Sequence, residues 1–525
     1  MKIIAYYIQG DVLYSSTGAQ KREPPYLDFL LSDSAPYTIQ VFYNLDHAVS
    51  RLCRRLTEAD IMTLWGDGIL VKPPYTIKYI SKSMLAIDKG EGQGHPFTTI
   101  SDMTQYMEAP IVPNLSEAQI MARLKESVKI SWDVYNSMKK LGLDPRTLTN
   151  PVRTLQNEIL SKLGLPTIDD LPDEAGEYAY ECCTGGWVEC IKRGWFETIY
   201  DWDISGGYPA QIREMVDFRL GSWEKVTTLP SDRPEGMTGF FRAMYNTEAD
   251  LHPILSTSPK TRNMTINGKD VNWMTLRKID FVTARKLAEV NIIDGWLFTP
   301  SQVVKPLRET IDGLQAKKVA SQGMDREVIK RLMSGIYGKT LELYKSEGKA
   351  FGPLFNSPWG ADIENNTHIE VCRFCLDNNI MPLYILTDGV ATDVDLQLKS
   401  SKEIGHWKLD AKTSALVIGS GIVALKGKKG KGAFSLNYDS LMQTIHDHPE
   451  YDTIHMQTDG FLSMGEAVER KRIDLMGETQ VDVRAIILNS DLKRCYINEP
   501  SNFGELITNT YPSIPWDVSM FIVGD

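Results

Sequence analysis

The chain lacks most of the features that would settle its class quickly. It has 525 residues but only seven cysteines and eight histidines. The cysteines (Cys53, Cys182, Cys183, Cys190, Cys372, Cys375 and Cys495) are scattered and odd in number, which argues against a disulfide-stapled secreted domain and favours reduced thiols. Cys372 and Cys375 form a single C-x-x-C without a second pair at zinc spacing, and VCRFCLDN reads as the middle of a helix. The histidines, including His446 and His448, form no metal-binding spacing. No apolar run reaches the roughly 18 residues that cross a bilayer, so no membrane partner is expected. The opening MKIIAYYIQGD has too short an apolar stretch for a secretory signal, and a cytoplasmic location follows as an expectation. An excess of positive charge is absent too: 57 Lys plus Arg against 68 Asp plus Glu give a net charge of −11. A wholly basic nucleic-acid-gripping surface is thereby excluded, whereas a local basic channel is not.

What is present is globular: 42% hydrophobic and 24% charged residues. At roughly 100 to 200 residues per domain the length suggests three or four structural units of mixed α/β character. Without repeats, boundaries come from turn clusters. The first 115 residues alternate strand-like runs (MKIIAYYI, YTIQVFY, YTIKYIS, SMLAID) with one helix-like stretch, LDHAVSRLCRRL. A long amphipathic helix is predicted from Ser116. ETIYDWDISGGYPAQIREMV reads as strand, tight turn at Gly206-Gly207, then helix after Pro209. Residues 215–300 read as irregular. KPLRETIDGLQAKKVA and DREVIKRLMSGIYGKTLELY predict two antiparallel helices. MPLYILTDGVATDVDL predicts a hairpin turning at Thr387-Asp388-Gly389.

Two carboxylates, Asp203 and Asp388, each end a hydrophobic strand at a sharp turn, a rigid platform from which an acid can reach a metal ion. Between them in sequence lie Lys318, Arg326, Lys330 and Tyr337 on predicted helices. Acids for metal and cations for phosphate suggest phosphoryl chemistry. Taken singly, an Asp-Gly hairpin is usually a turn and a helical lysine usually a solvated face.

In order and wording these segments resemble the polymerase motifs of family B DNA polymerases, most of all the protein-primed enzymes of phages and linear plasmids. DISGGYPAQI at 203–212 is similar to D-x-x-S-L-Y-P, with Gly206-Gly207 for Ser-Leu. KRLMSGIYGK at 330–339 is similar to K-x-x-x-N-S-x-Y-G, with Ser334-Gly335 for Asn-Ser. YILTDGV at 384–390 is similar to Y-x-D-T-D-S, with Leu386 for the first Asp. The likeness is dense in 180–212, 318–340 and 384–432.

The resemblance implies a right-hand polymerase behind a ribonuclease H-like exonuclease-type domain. The corresponding divisions are residues 1–150 (nuclease-like), 151–300 (palm with the first motif and an insertion), 301–345 (helical fingers), 346–425 (palm with the third motif) and 426–525 (thumb). It implies that Asp203 and Asp388, with Ile204 beside them, hold two Mg²⁺ or Mn²⁺ ions, with Asp393 and Asp395 as substitutes for the acid lost at Leu386. Lys318, Arg326 and Lys330 would grip a deoxynucleoside triphosphate, Tyr208 would exclude a 2′-hydroxyl and Tyr337 would stack on the nascent pair. Thr184, Gly185 and Gly186 would touch template. Lys408 and the run Lys426, Lys428, Lys429 and Lys431 would meet the template-primer duplex. HMQTDGF at 455–461 offers Asp459 as a rival to Asp388, less favoured because the lysine-rich passage follows Asp388.

The same resemblance exposes losses. The nuclease motifs D-x-E, N-x-x-F/Y-D and Y-x-x-x-D meet Gln9-Gly10, then Asn44 with Ala48, then Lys129 with Asp133. One acid of four predicts no proofreading. The sequence leaves three readings open: a DNA-directed DNA polymerase extending a primer or a protein hydroxyl, with a terminal protein as partner; a polymerase-like replication accessory; or a primer-independent nucleotidyltransferase.

Overall fold

The computed structural model describes residues 2–9, 12–21, 30, 38–42, 44–53, 56–73, 75–80, 84–89, 98–103, 106–107, 115–145, 148, 151–256, 264–343, 351–432 and 436–520. The first unit is an eight-stranded mixed sheet in the order Gln20–Lys21, Val12–Ser15, Lys2–Gln9, Thr38–Phe42, Thr98–Asp102, Met84–Lys89, Tyr75–Ile80, Ile69–Lys72. Its three central strands run parallel and are buried on both faces, so Lys2–Gln9 reads IIAYYI without alternation. The helix Glu117–Lys140 covers one face; it opens with a Ser116/Gln119 capping box and buries Ile120, Leu124, Val134 and Met138 at helical spacing.

At the centre of the chain lies a second sheet, ordered Lys431–Gly432, Ile422–Leu425, Trp407–Gly419, Lys192–Ile204, Gly389–Thr392, Tyr384–Leu386, Val188–Cys190. The strand Lys192–Ile204 is rich in aromatic and β-branched residues and is paired on both edges. Its period of two sends Trp202 and Ile204 into the core beneath and leaves Asp201 and Asp203 on the opposite face. Under this sheet runs the helix Ser357–Asp377, in which Cys372 and Cys375 are buried packing residues, as are the free cysteines Cys53, Cys182 and Cys190.

Residues 215–300 are not irregular. They form a five-stranded sheet in the order Gly221–Val226, Glu289–Pro300, Thr238–Thr247, Ile266–Thr275, Trp516–Asp517, with the helix Leu276–Ala284 against it. The helices Arg308–Ala320 and Gly323–Thr340 stand antiparallel beside the central sheet, packing on one another and on Glu117–Lys140 and Pro151–Glu158. Beyond the central sheet, Thr453–Phe461 and Thr479–Ile487 make a two-stranded ribbon. The segment joining them folds back onto the first unit: Leu462, Met464, Ala467 and Met476 complete the core of Leu45, Ala48, Val49, Ile61 and Leu64, and Arg51 donates two hydrogen bonds of 3.1 Å to Glu478.

No described helix is long and apolar enough to cross a membrane.

Candidate active site

Asp203 is the last polar residue of Lys192–Ile204, and Asp388 is the tip of the hairpin between Tyr384–Leu386 and Gly389–Thr392. The two strands are neighbours: Asp203 pairs with Gly389, and the Ile204 N–H donates to the Asp388 carbonyl at 3.0 Å. Both carboxylates are thus set at one end of one sheet by main-chain hydrogen bonds. Burial, and next to it the Asp203 carboxylate, pushes the Asp388 carboxyl up to about 6; hydrogen bonds from the Gly207 and Asp388 N–H groups pull the other way.

The approach of the following helix, Gly207–Ile212, explains the Gly-Gly pair. Gly206 sits in the left-handed region at φ +67°. A Cβ added at Gly207 would lie 2.6 Å from Asp388 Oδ2 and 2.8 Å from its Cβ. Side-chain-free backbone at 207 therefore lets an N–H reach the carboxylate. Asp388 also follows Thr387 at φ +58°, a conformation that costs a β-branched residue about 1–3 kcal/mol and is held by the Thr387 N–H donating to the Trp187 carbonyl at 2.7 Å.

Above the acids the fingers-like helices bring cations. Lys318, on Arg308–Ala320, has its ammonium lowered by burial and by the neighbouring charges of Arg326, Lys408 and Lys330, and it also feels Asp203. Arg326 bridges to the Lys318 carbonyl at 3.3 Å, and Lys330 is exposed. Tyr208 and Tyr337 come together with ring centroids 4.5 Å apart at 41°. Ser334 bonds back to the Lys330 carbonyl at 2.8 Å, and a Cβ at Gly335 would strike Val152 at 2.2 Å; the departure from Asn-Ser lets Pro151–Glu158 pack on this helix.

The lysines of the central sheet divide. Lys408, directly across from Asp203, donates to its Oδ2 at 2.5 Å. Lys431 is 2.5 Å from the fully buried Asp201, so it ties the hairpin edge to the sheet. Lys426, Lys428 and Lys429 are exposed on the intervening turn, Lys428 donating to the Asp410 carbonyl. Asp393 and Asp395 lie past the far end of the strand that Asp388 begins and pair with Lys192 at 3.3 Å and Lys412 at 3.7 Å, away from the acids. Asp459 is not on a hairpin tip: HMQTDGF is continuous strand in the separate ribbon, Asp459 opposite Val481.

The turn Thr184-Gly185-Gly186 packs on the Asp388 hairpin, a Cβ at Gly186 coming 2.9 Å from Thr387 Oγ1. It also meets a residue that sequence reasoning missed. Glu364, 2% exposed on Ser357–Asp377, accepts the Thr184 and Gly185 N–H groups on Oε2, each at 2.9 Å, and the Tyr337 hydroxyl on Oε1. The available signal was the helical run DIENNTH, polar yet without lysine or arginine; all but Ile363 are polar and none is more than 8% exposed.

Among the described residues no group of three or more His, Cys, Asp or Glu side chains gathers as a metal cage. Within the Asp203–Asp388 pair Lys408 is ion-paired to Asp203, and burial, with the Asp203 carboxylate next to it, holds Asp388 above its ordinary range. The donor set fits a divalent ion that also takes oxygens from a ligand.

The comparisons with known proteins meet this geometry at the level of fold. Phi29 DNA polymerase in its ternary complex with primer-template DNA and incoming nucleotide superposes with a TM-score of 0.63 at 13% identity, covering 93% of this chain and all of that one. The chain has the fold of Phi29 DNA polymerase. The same enzyme in its post-translocation binary complex (TM-score 0.63, 12% identity) and with single-stranded DNA (0.62, 13%) matches over the same 93% and 100%. No protein-family profile and no curated protein sequence matches the chain. The Phi29-like fold, a mixed α/β assembly of several units, agrees with the right-hand architecture that the motif wording implied.

Proposed function

We propose that this protein is a DNA-directed DNA polymerase that adds deoxynucleotides to a primer 3′-hydroxyl, or to a protein hydroxyl, and does not proofread. The observation that carries the reading is the convergence of Asp203 and Asp388 on adjacent strands below the Lys318, Arg326 and Lys330 cluster, joined by the Ile204-to-Asp388 hydrogen bond of 3.0 Å. Phosphoryl transfer needs little covalent help from a protein; it needs a fixed acidic platform, cations on the triphosphate and a held acceptor. Asp203 and Asp388, with Ile204 beside them, would hold two divalent ions, Mg²⁺ or Mn²⁺. Bound there, divalent ions would supply Lewis-acid activation of the acceptor hydroxyl and charge neutralisation at the leaving pyrophosphate.

The chain's own groups do the rest. Lys318, Arg326 and Lys330 grip the triphosphate; the ammonium of Lys318, lowered first by burial and then by the neighbouring cations, is one that a bound anion would restore. The Tyr208 ring, braced by Tyr337, lies where a sugar would sit and excludes a 2′-hydroxyl. Gly338, exposed and with open space at its Cβ position, leaves room beside Tyr337 for the nascent pair. Thr184, Gly185 and Gly186 follow template. Lys426, Lys428 and Lys429 meet duplex phosphates, Lys408 shares itself between Asp203 and primer, and Lys431 holds the turn in place. DNA template-primer and deoxynucleoside triphosphates are the expected partners, with a terminal protein as priming partner.

The nuclease-like unit supports the absence of proofreading. Gln9 donates to the Leu115 carbonyl at 2.9 Å and accepts its N–H at 2.8 Å, a structural clamp, and Ala48 is fully buried.

Extension of a labelled primer with Mg²⁺, comparing deoxy- and ribonucleotides, tests the reading. Templated growth with deoxynucleotides is expected, reduced at least about a thousandfold in Asp203→Ala and in Asp388→Ala. DNA binding without any extension by the wild type would refute it.

A further inference from the structure

Glu364 belongs to none of the polymerase-like segments, yet three donors from two of them end on its carboxylate. The two N–H groups of the 184–186 turn share Oε2, and the Tyr337 hydroxyl of the fingers-like helix takes Oε1. Around it the linkage continues. His368, one turn further along the same helix, bonds the Gly185 carbonyl at 3.0 Å, so donors and acceptors of the turn are both fixed from one helix. Tyr337 in turn carries Tyr208 on its ring at 4.5 Å, and Tyr208 opens the helix whose first N–H reaches Asp388. A buried carboxylate that receives three donors and is 2% exposed is a rigid node, because every group released from it would lose its partner out of reach of water.

We propose that Glu364 is a positioning residue for nucleotide selection: by bonding the 184–186 turn and the Tyr337 hydroxyl with one carboxylate, it fixes the Tyr337–Tyr208 pair and ties the choice of sugar to the turn proposed to follow template. This rests on the polymerase reading. Glu364 touches neither substrate nor the acids, so its loss acts through Tyr337 and moves nucleotide affinity and sugar choice rather than the chemical step.

Single-nucleotide incorporation by wild type, Tyr337→Phe, Glu364→Gln and the double variant tests this, with the deoxynucleotide KM, kcat and the deoxy-to-ribo preference as readouts. Gln keeps one acceptor for the two N–H groups and turns its amide toward Tyr337, so the fold persists while the Tyr337 bond is lost or reversed. Each single variant is expected to raise KM about tenfold, the loss of one hydrogen bond to a charged group, and to lower sugar preference similarly, with kcat within about twofold. The double variant is expected to be no worse than either single one. Additive effects, a fall in kcat at constant KM, or a Glu364→Gln enzyme with wild-type KM and sugar preference would overturn the inference and leave the polymerase reading standing. A wild type that incorporates no nucleotide on any primed template would overturn both.

Discussion

The central sheet and the N-terminal sheet use the same device, a strand delivering a side chain to the end of a buried sheet, with opposite results. In the central sheet the end positions hold Asp203 and Asp388, a left-handed Thr387 and a glycine that makes way for a carboxylate. Stability is given up there for a charged, crowded cluster. In the N-terminal unit the strand Lys2–Gln9 ends in Gln9, hydrogen-bonded on both ends to Leu115, and the adjoining helix Leu45–Leu52 carries Ala48, sunk in a core completed by Met464 and Met476. On the proposed reading, local strain and crowded charge persist where chemistry needs them, and packing takes the space where it does not.

The sharpest way to break the active side of that comparison is Gly207→Ala. A methyl group 2.6 Å from Asp388 Oδ2 must displace either the carboxylate or the helix that begins at 207. Extension is expected to fall about a hundredfold with only a small change in melting temperature, since misplacement of about 1 Å at a reacting group costs that much. Steady-state kinetics beside a thermal melt separates the two effects.

Acid should distinguish the regions by different signals. Asp388, held up to about 6, is protonated below that value, so extension is expected to drop about tenfold per pH unit below about 6, and more Mg²⁺ should move the limb to lower pH because cation and proton compete. Its raised value means the folded chain binds the proton more tightly than the unfolded one, so this carboxyl costs stability as pH rises from about 4 to about 6. His47, buried against Phe461 and beside Arg51, is lowered to about 4. The folded chain keeps it neutral, so its contribution is full above about 6.5 and is lost as pH falls toward 4. Limited proteolysis between the helix Leu45–Leu52 and the 462–478 segment should therefore speed up over that lower window, while pH-dependent extension follows Asp388.

The inactive side can be tested by putting an acid back. Ala48 is fully buried among Val49, Leu64 and Met464, so Ala48→Asp is expected to destabilise the protein by about 2–4 kcal/mol, read as a lower denaturation midpoint, and to restore no primer degradation.

Much of this was legible in the sequence for physical reasons. Strand-ending acids at Asp203 and Asp388 stand out because a hydrophobic strand stopping at Gly-Gly or Asp-Gly has few other readings, and the helices carrying Lys318 and Tyr337 show clean periodicity. The sheet in 215–300 was invisible because Gly221–Val226 is largely exposed and Thr238–Thr247 is nearly all buried, so neither alternates cleanly. Asp459 misled because Thr-Asp-Gly is read as a turn even inside a long strand. Glu364 was hidden because a polar helix is taken as solvated, and only tertiary structure shows that its whole polar run is covered. Lys408 and Lys431 looked like free phosphate ligands; Asp203 faces Lys408 across paired strands and Lys431 reaches Asp201 over two intervening strands of the same sheet, which sequence separation conceals.

The smallest expected effect is also the one that most directly opposes the two regions. Asp133 is the single acid that matches a nuclease motif, and it lies exposed on the helix Glu117–Lys140, where its main-chain carbonyl accepts from Ser137 at 2.7 Å. On the proposed reading, Gln9 and Ala48 stand where the other acids would be, and one carboxylate would not hold the paired ions a nuclease needs. Asp133→Ala is expected to leave extension, melting temperature and the stability of a mismatched 3′ end unchanged, within about 0.5 kcal/mol for an exposed side chain whose helix keeps its backbone hydrogen bonds. Degradation of a mismatched primer by the wild type that Asp133→Ala abolishes would mean that this sheet still does chemistry, and the contrast between a strained active end and a packed silent one would fail at its second half.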